Sequence, residues 1–230
     1  MKMENCVVLI HGFGGGYYEL ENLDKFLTEK GIDSRFVQLA GHTGRYKDFM
    51  LVTRKQWIKS ARKKIEEILE EYETVTIVGF SMGGLIATYM ADLPVKSFIF
   101  VNTPLKLSDA GKVVGNVVGS FAQYANKYIR ATIKTPLPAL YELNELLKET
   151  KDTNFSKIKV PCLILQTRDD DTANSKSAEL ISQRLKCQHE IIRYDRGGHK
   201  IFNGDYCDTA CEDILDFIEL TNHSVNWHTL

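Results

Sequence analysis

The sequence predicts an α/β chain: a doubly wound, mostly parallel sheet of about six strands, flanked by helices, with a helical insertion after the fourth strand. Three observations carry this. Six short apolar, β-branched runs alternate with segments of helical period. Several of those runs, VVLI, VTIV and CLIL among them, are apolar at consecutive positions, as strands covered on both faces must be. The alternation lapses once, between residues 102 and 159.

The strands are expected at residues 6–10, 34–39, 74–78, 96–101, 161–167 and 189–194. Helices are expected at 17–30, 54–71, 82–91, 175–186 and 206–220. In the second helix Ile58, Ala61, Ile65, Ile68 and Leu69 recur at helical spacing, with Lys and Glu between them for the solvent face. The long lapse exceeds an ordinary connection and has helical patterning of its own. Val113, Val114, Val117, Val118, Phe121, Tyr124 and Tyr128 follow i, i+3/i+4 spacing, and a second helix is predicted over 139–148 after Pro136 and Pro138. The chain therefore divides into a core, 1–103 with 156–230, and an inserted helical cap, 104–155. Gly115 and Gly119 form a GxxxG, but Lys112, Asn116 and Gln123 argue against a membrane-spanning helix. The tail from Thr221 is polar and expected to fray.

Composition excludes several classes of function. With 230 residues and 43% hydrophobic content the chain can bury a sizeable core. Lys and Arg number 29 against 30 Asp and Glu, so there is no broad basic field for nucleic acid and no polybasic membrane patch. The apolar run at 6–10 ends at His11, too short for a signal segment or a membrane anchor. The expectation is a soluble, cytoplasmic protein with no nucleic-acid partner and no integral membrane association. The five cysteines, Cys6, Cys162, Cys187, Cys207 and Cys211, form no CxxC, and the odd count reads as reduced thiols. Cys207 and Cys211 lie four apart on a predicted helix, but no partner pair completes a tetrahedral set, so no metal is expected.

The most informative stretch is Gly79-Phe80-Ser81-Met82-Gly83, which joins the third strand to a helix. A serine at such a turn is held in a strained backbone conformation that lifts its hydroxyl above the sheet edge. The flanking glycines are required where a Cβ would strike the neighbouring strand or helix. The helix start offers N–H groups to a developing oxyanion. Directly after the first strand comes His11-Gly12-Phe13-Gly14-Gly15-Gly16. A glycine-rich loop there brings backbone amides close to a substrate carbonyl, with Gly12 and Gly14 beside the substrate. The expected oxyanion donors are the N–H groups of Phe13 and Met82. A phosphate loop is excluded: position 17 is Tyr, and no Gly-Lys-Ser/Thr follows.

A serine hydroxyl needs an imidazole to take its proton, and the imidazole needs an acid to fix its tautomer. His199, in Arg196-Gly197-Gly198-His199-Lys200 after the last strand, lies at the same sheet edge as Ser81 and is the expected base. His11 is expected to brace the oxyanion loop and His42 to order the loop after the second strand. The acid should follow the fifth strand, where Asp169, Asp170 and Asp171 are adjacent. They cannot all crowd one imidazolium, so two must turn to solvent or to capping. Asp170 is favoured, then Asp169, with Asp195 in reserve.

Together these residues resemble the α/β-hydrolases, and more narrowly the small bacterial carboxylesterases and monoacylglycerol lipases. The resemblance covers nearly the whole chain. His11-Gly12-Phe13-Gly14-Gly15 is similar to that family's oxyanion segment, and Leu39-Ala40-Gly41-His42 to its Gly-His-Gly stretch, departing at Thr43. Gly79 to Gly84 resembles the nucleophile elbow, Gln166-Thr167-Arg168-Asp169-Asp170 the acid loop, and Gly198-His199 the catalytic Gly-His. Thr135-Pro136-Leu137 is similar to the end of the family's cap. Only about five residues precede the first strand, so the expectation is a reduced fold without the hairpin that opens larger relatives. The resemblance implies a serine hydrolase acting on small-molecule carboxylic esters of small to medium acyl chain, monoacylglycerols included, with no cofactor. Phe121 and Tyr124 of the cap are expected at the substrate. An acyl-thioesterase on the same triad, or a non-catalytic binding protein on this scaffold, are the alternatives. Dehalogenases and epoxide hydrolases of the fold carry Asp where this chain has Ser81.

Overall fold

The computed structural model describes residues 2–106 and 137–222. The predicted first cap helix, with Phe121 and Tyr124, lies outside the described residues, as do Thr135, Pro136 and the last eight residues of the tail.

Six strands form one sheet in the order β2-β1-β3-β4-β5-β6, and every neighbouring pair is parallel. They are β1 (Met3–Ile10), β2 (Ser34–Val37), β3 (Tyr72–Phe80), β4 (Val95–Val101), β5 (Cys162–Thr167) and β6 (His189–Tyr194). The helices are α1 (Glu21–Glu29), α2 (Tyr46–Leu51), α3 (Arg54–Glu71), α4 (Met82–Ala87), α5 (Leu137–Thr153), α6 (Ser177–Ser182) and α7 (Cys207–Asn222). Strand β1 is three residues longer at its start than the apolar run indicates, because Met3 to Asn5 pair beside β3 at the exposed end, where polarity carries no penalty. The six-residue α2 was not anticipated; it is too short for its period to be legible, and only its Phe49 is buried.

Consecutive apolar positions in the central strands divide between two cores, as alternation of side chains across a strand requires. Cys6, Val8 and Ile10 join Trp57, Ala61 and Ile65 of α3 on one face. Val7 and Leu9 join Leu23 and Leu27 of α1 and Ile214 and Ile218 of α7 on the other. Edge strands β2 and β6 are only partly covered, and their sequences are correspondingly more polar. Helix α3 starts where the Gln56 side chain accepts the Thr53 N–H at 2.9 Å. It buries Trp57, whereas Ile58 is half-buried. Helix α5 extends the predicted 139–148 at both ends and packs on α2, α3 and α4. It is tied to the start of α3 by Arg54, which pairs with Glu142 at 2.8 Å and Glu149 at 2.5 Å.

The chain leaves β1 toward β2 on one side and returns as β3 on the other. The loops that follow β1 and β3 therefore part at the C-terminal edge of the sheet, the place where open α/β sheets form a crevice. Ile10 pairs with Gly79, so the loop after β1 begins at His11 beside Phe80, the last residue of β3.

Candidate active site

Ser81 stands between β3 and α4 at φ 52° and ψ −120°. A side-chain-bearing residue rarely adopts this conformation, and it costs of the order of 1–3 kcal/mol. The surrounding structure enforces it. The Ser81 N–H donates to the Val101 carbonyl at 2.8 Å, and its own carbonyl accepts the Gly84 N–H at 3.0 Å. The glycines leave no alternative: a Cβ on Gly79 would lie 2.5 Å from the Gly84 Cα, and one on Gly83 2.2 Å from the Ile10 carbonyl oxygen. A Cβ on Gly84 would lie 1.9 Å from the Thr103 hydroxyl. The elbow is thus pressed against β1 on one side and β4 on the other.

From Ser81 an unbroken line of hydrogen bonds runs inward. His199 Nε2 is 2.9 Å from Ser81 Oγ, and His199 Nδ1 is 2.8 Å from Asp170 Oδ2 and 3.0 Å from Oδ1. The Asp170 side chain is fully buried, and its Oδ1 also accepts the N–H groups of Thr172 and Ala173, both at 2.8 Å. With an ionised acid that only accepts, the proton sits on Nδ1 and the Nε2 lone pair faces the serine hydroxyl. The other acids are turned elsewhere. Asp169 accepts the Gly198 N–H at 2.8 Å, exposed Asp171 accepts the Thr172 hydroxyl at 3.0 Å, and Asp195 pairs with Arg168 at the surface.

Sequence reasoning missed the group that holds the histidine loop. Asn102, directly after β4, is fully buried and has φ 45°. Its Nδ2 donates to the carbonyls of His199 at 2.8 Å and Gly198 at 3.2 Å, while its Oδ1 accepts the Thr167 N–H at 2.9 Å. The Thr167 hydroxyl adds a bond to the Gly198 carbonyl at 2.6 Å. One amide therefore clamps the end of β5, just before the acid loop, to the histidine-bearing loop. The only cue in the sequence is the position of an Asn immediately after a strand at the site edge.

Residues 12–15 form a tight turn closed by Gly15 N–H to the Gly12 carbonyl at 3.2 Å, with Gly14 at φ 64°. The N–H of the second turn residue, Phe13, takes no part in that closure, and the Met82 N–H opens α4, where no helical carbonyl precedes it. The Phe13 ring packs 5.0 Å from Phe49 and 6.0 Å from Trp57, centroid to centroid. His11 braces the same loop as expected: Nδ1 lies 2.8 Å from the Gly12 carbonyl and Nε2 accepts the Leu39 N–H at 3.2 Å. His42 contacts the Ala40 carbonyl through Nδ1 at 3.1 Å, while its buried Nε2 has no hydrogen-bond partner among the described residues.

Burial, with the neighbouring His42 adding to it, pushes the His11 imidazole down to about 3. Burial likewise pushes His42 down to about 4, against a smaller opposing effect of the Ala40 carbonyl. Both values lie below the ordinary histidine value of about 6.5, so between these limits the unfolded chain binds more protons than the folded one. The stability they confer is complete above about pH 6.5 and falls by about 1.4 kcal/mol per pH unit per histidine on acidification. His42→Phe, placed among Phe49, Trp57 and His11, removes one of these titrations. Urea unfolding between about pH 6 and pH 5 is expected to show a slope shallower by one proton; an unchanged slope would contradict a buried neutral His42.

Among the described residues no three His, Cys, Asp or Glu side chains converge as a metal site, and no helix is long and apolar enough to cross a membrane. Sequence and structure comparisons agree with this architecture. A family model described as alpha/beta hydrolase fold matches residues 5–144. A carboxylesterase of Bacillus subtilis is 24% identical, with 94% of this chain and 93% of that protein covered. A thermostable monoacylglycerol lipase of Bacillus sp. is 25% identical over 87% of this chain and 84% of its own. A solved structure from a study of two metagenome-derived lipolytic enzymes superposes with a TM-score of 0.79 at 18% identity, covering 95% of each chain.

Proposed function

Because the chain belongs to the alpha/beta hydrolase fold family, we propose that it is a serine esterase that cleaves carboxylic esters through an acyl-enzyme. The observation that carries this reading is the continuous hydrogen-bonded line from Ser81 Oγ through His199 to buried Asp170, mounted on a strained turn. Ser81 attacks the ester carbonyl carbon as its proton passes to His199 Nε2. The Phe13 and Met82 N–H groups receive the oxyanion, with Gly12 and Gly14 allowing the backbone to approach. His199 then protonates the departing alcohol, and water repeats the cycle to release the acid. Asp170 holds the Nδ1–H tautomer and stabilises the imidazolium without taking the proton.

The substrate class is read as esters of small to medium acyl chain, monoacylglycerols included. Named relatives support that range: a carboxylesterase and a monoacylglycerol lipase match this chain over most of its length. Residues 104–155 are read as an inserted cap, of which α5 is tied to the start of α3 through Arg54.

Labelling with a fluorophosphonate followed by peptide mapping is expected to place a single adduct on Ser81. Turnover of nitrophenyl esters of graded chain length is expected to fall beyond medium acyl chains, and to exceed turnover of matching acyl-thioesters. An adduct elsewhere, or no adduct, would defeat the assignment; preference for the thioester would move the substrate class.

A further inference from the structure

Glu19 is a carboxylate only 5% exposed, in the short turn Tyr17–Glu19 that follows the glycine loop. Its Oε2 accepts the Gly12 N–H at 3.0 Å. Gly15 is packed so closely over it that a Cβ there would lie 1.8 Å from Oε2. The other oxygen, Oε1, is 3.3 Å from Lys200 Nζ, and that ammonium sits 4.9 Å from the centre of the Tyr18 ring. Lys200 is the residue after His199. The pair therefore joins the turn at 12–15 to the loop that carries the imidazole, and Asn22 Nδ2 adds a 2.8 Å bond to the Phe202 carbonyl beside it.

A buried carboxylate under a loop of N–H donors poses an electrostatic problem. It fixes the Gly12 N–H, but its charge opposes the negative oxygen that the same loop is proposed to stabilise. A carboxylate in such a place also has a high desolvation cost unless it is paired. Lys200 answers both.

We propose that Glu19 and Lys200 form a charge-neutral buckle: Glu19 positions the residue 12–15 turn so that the Phe13 N–H meets the oxyanion, and Lys200 cancels a charge that would otherwise oppose it. This rests on the esterase reading and adds two positioning residues that touch no reacting atom. The buckle acts on the oxyanion, present only as the transition state is approached, so it affects kcat and leaves KM nearly unchanged.

The test is a four-variant cycle: wild type, Glu19→Gln, Lys200→Met and the double variant, assayed on one nitrophenyl ester. Glutamine keeps an acceptor for Gly12 without the charge, and the half-exposed Lys200 ammonium, having lost its ionic partner, turns to solvent, so Glu19→Gln should lose only several-fold in kcat, about the worth of a weakened hydrogen bond. Lys200→Met leaves the carboxylate without its counter-charge and should lose about tenfold or more, the half-exposed ammonium being already partly screened by water, with KM within about twofold. The double variant should recover to about the level of Glu19→Gln, which is the signature of charge cancellation rather than packing. Losses that multiply, a Lys200→Met variant at wild-type kcat, or an effect confined to KM would overturn the buckle while wild-type turnover stands. A wild-type chain inert to esters and fluorophosphonate alike would instead overturn the esterase reading, and this role with it. Both substitutions preserve side-chain size; the equilibrium unfolding of each variant distinguishes a folding defect from a kinetic one.

Discussion

Ser81→Ala is expected to remove ester turnover by about 10⁴-fold or more and to abolish fluorophosphonate labelling, with the folded state intact. Ser81→Gly should be equally inactive yet more stable than the wild type, by about 1 kcal/mol, or some 2–4 °C in unfolding midpoint for a domain of this size. The two substitutions separate chemistry from strain. Alanine deletes the hydroxyl but keeps a Cβ at φ 52°, so the backbone remains in a conformation that side chains disfavour. Glycine deletes the hydroxyl and relieves the conformation as well. That gain is partly offset by the greater freedom of glycine in the unfolded chain, which is why the expected increment is modest. Thermal unfolding and initial-rate assays on the three proteins decide it. Residual turnover in Ser81→Ala would move the nucleophile elsewhere, and a destabilised Ser81→Gly would mean that the turn stores no strain.

What was legible in the sequence follows the strength of local signals. The central strands could be read because burial on both faces demands consecutive apolar residues, and VVLI, VTIV and CLIL supply them. The elbow could be read because its glycines answer to steric contacts of 2.2 to 2.5 Å that no side chain survives. Asn102, Glu19 and Lys200 could not be read. Each has a partner far along the chain, His199 for Asn102 and Glu19 for Lys200, and an isolated Asn, Glu or Lys looks the same whether it serves a loop or solvent. Element ends were the other weak point. Helix α6 occupies only Ser177–Ser182 of the 175–186 expected, because the period of a helix shows which face is buried but not where the turns tighten.

Asp170→Asn is expected to lower kcat by about 10⁴-fold with little change in fold, a loss larger than its modest chemistry suggests. The carboxylate meets two backbone donors through Oδ1, the N–H groups of Thr172 and Ala173, and the imidazole mainly through Oδ2. An asparagine must keep its single oxygen toward those two buried donors, because leaving them unmatched is costly. Its NH₂ then faces His199 Nδ1. Nδ1 has to become the acceptor, the ring proton moves to Nε2, and Nε2 presents N–H rather than a lone pair to Ser81 Oγ. The base is thereby lost through the wrong tautomer, without any displacement of the ring. The neighbouring acids provide the contrast. Asp169→Asn retains an oxygen for the Gly198 N–H and should cost no more than about tenfold, the difference between a charged and a neutral acceptor. Asp195→Asn breaks only an exposed pair with Arg168 and should stay within about twofold. Steady-state kinetics on the three variants would rank the acids, and a large loss in Asp169→Asn with Asp170→Asn near wild type would reassign the orienting carboxylate.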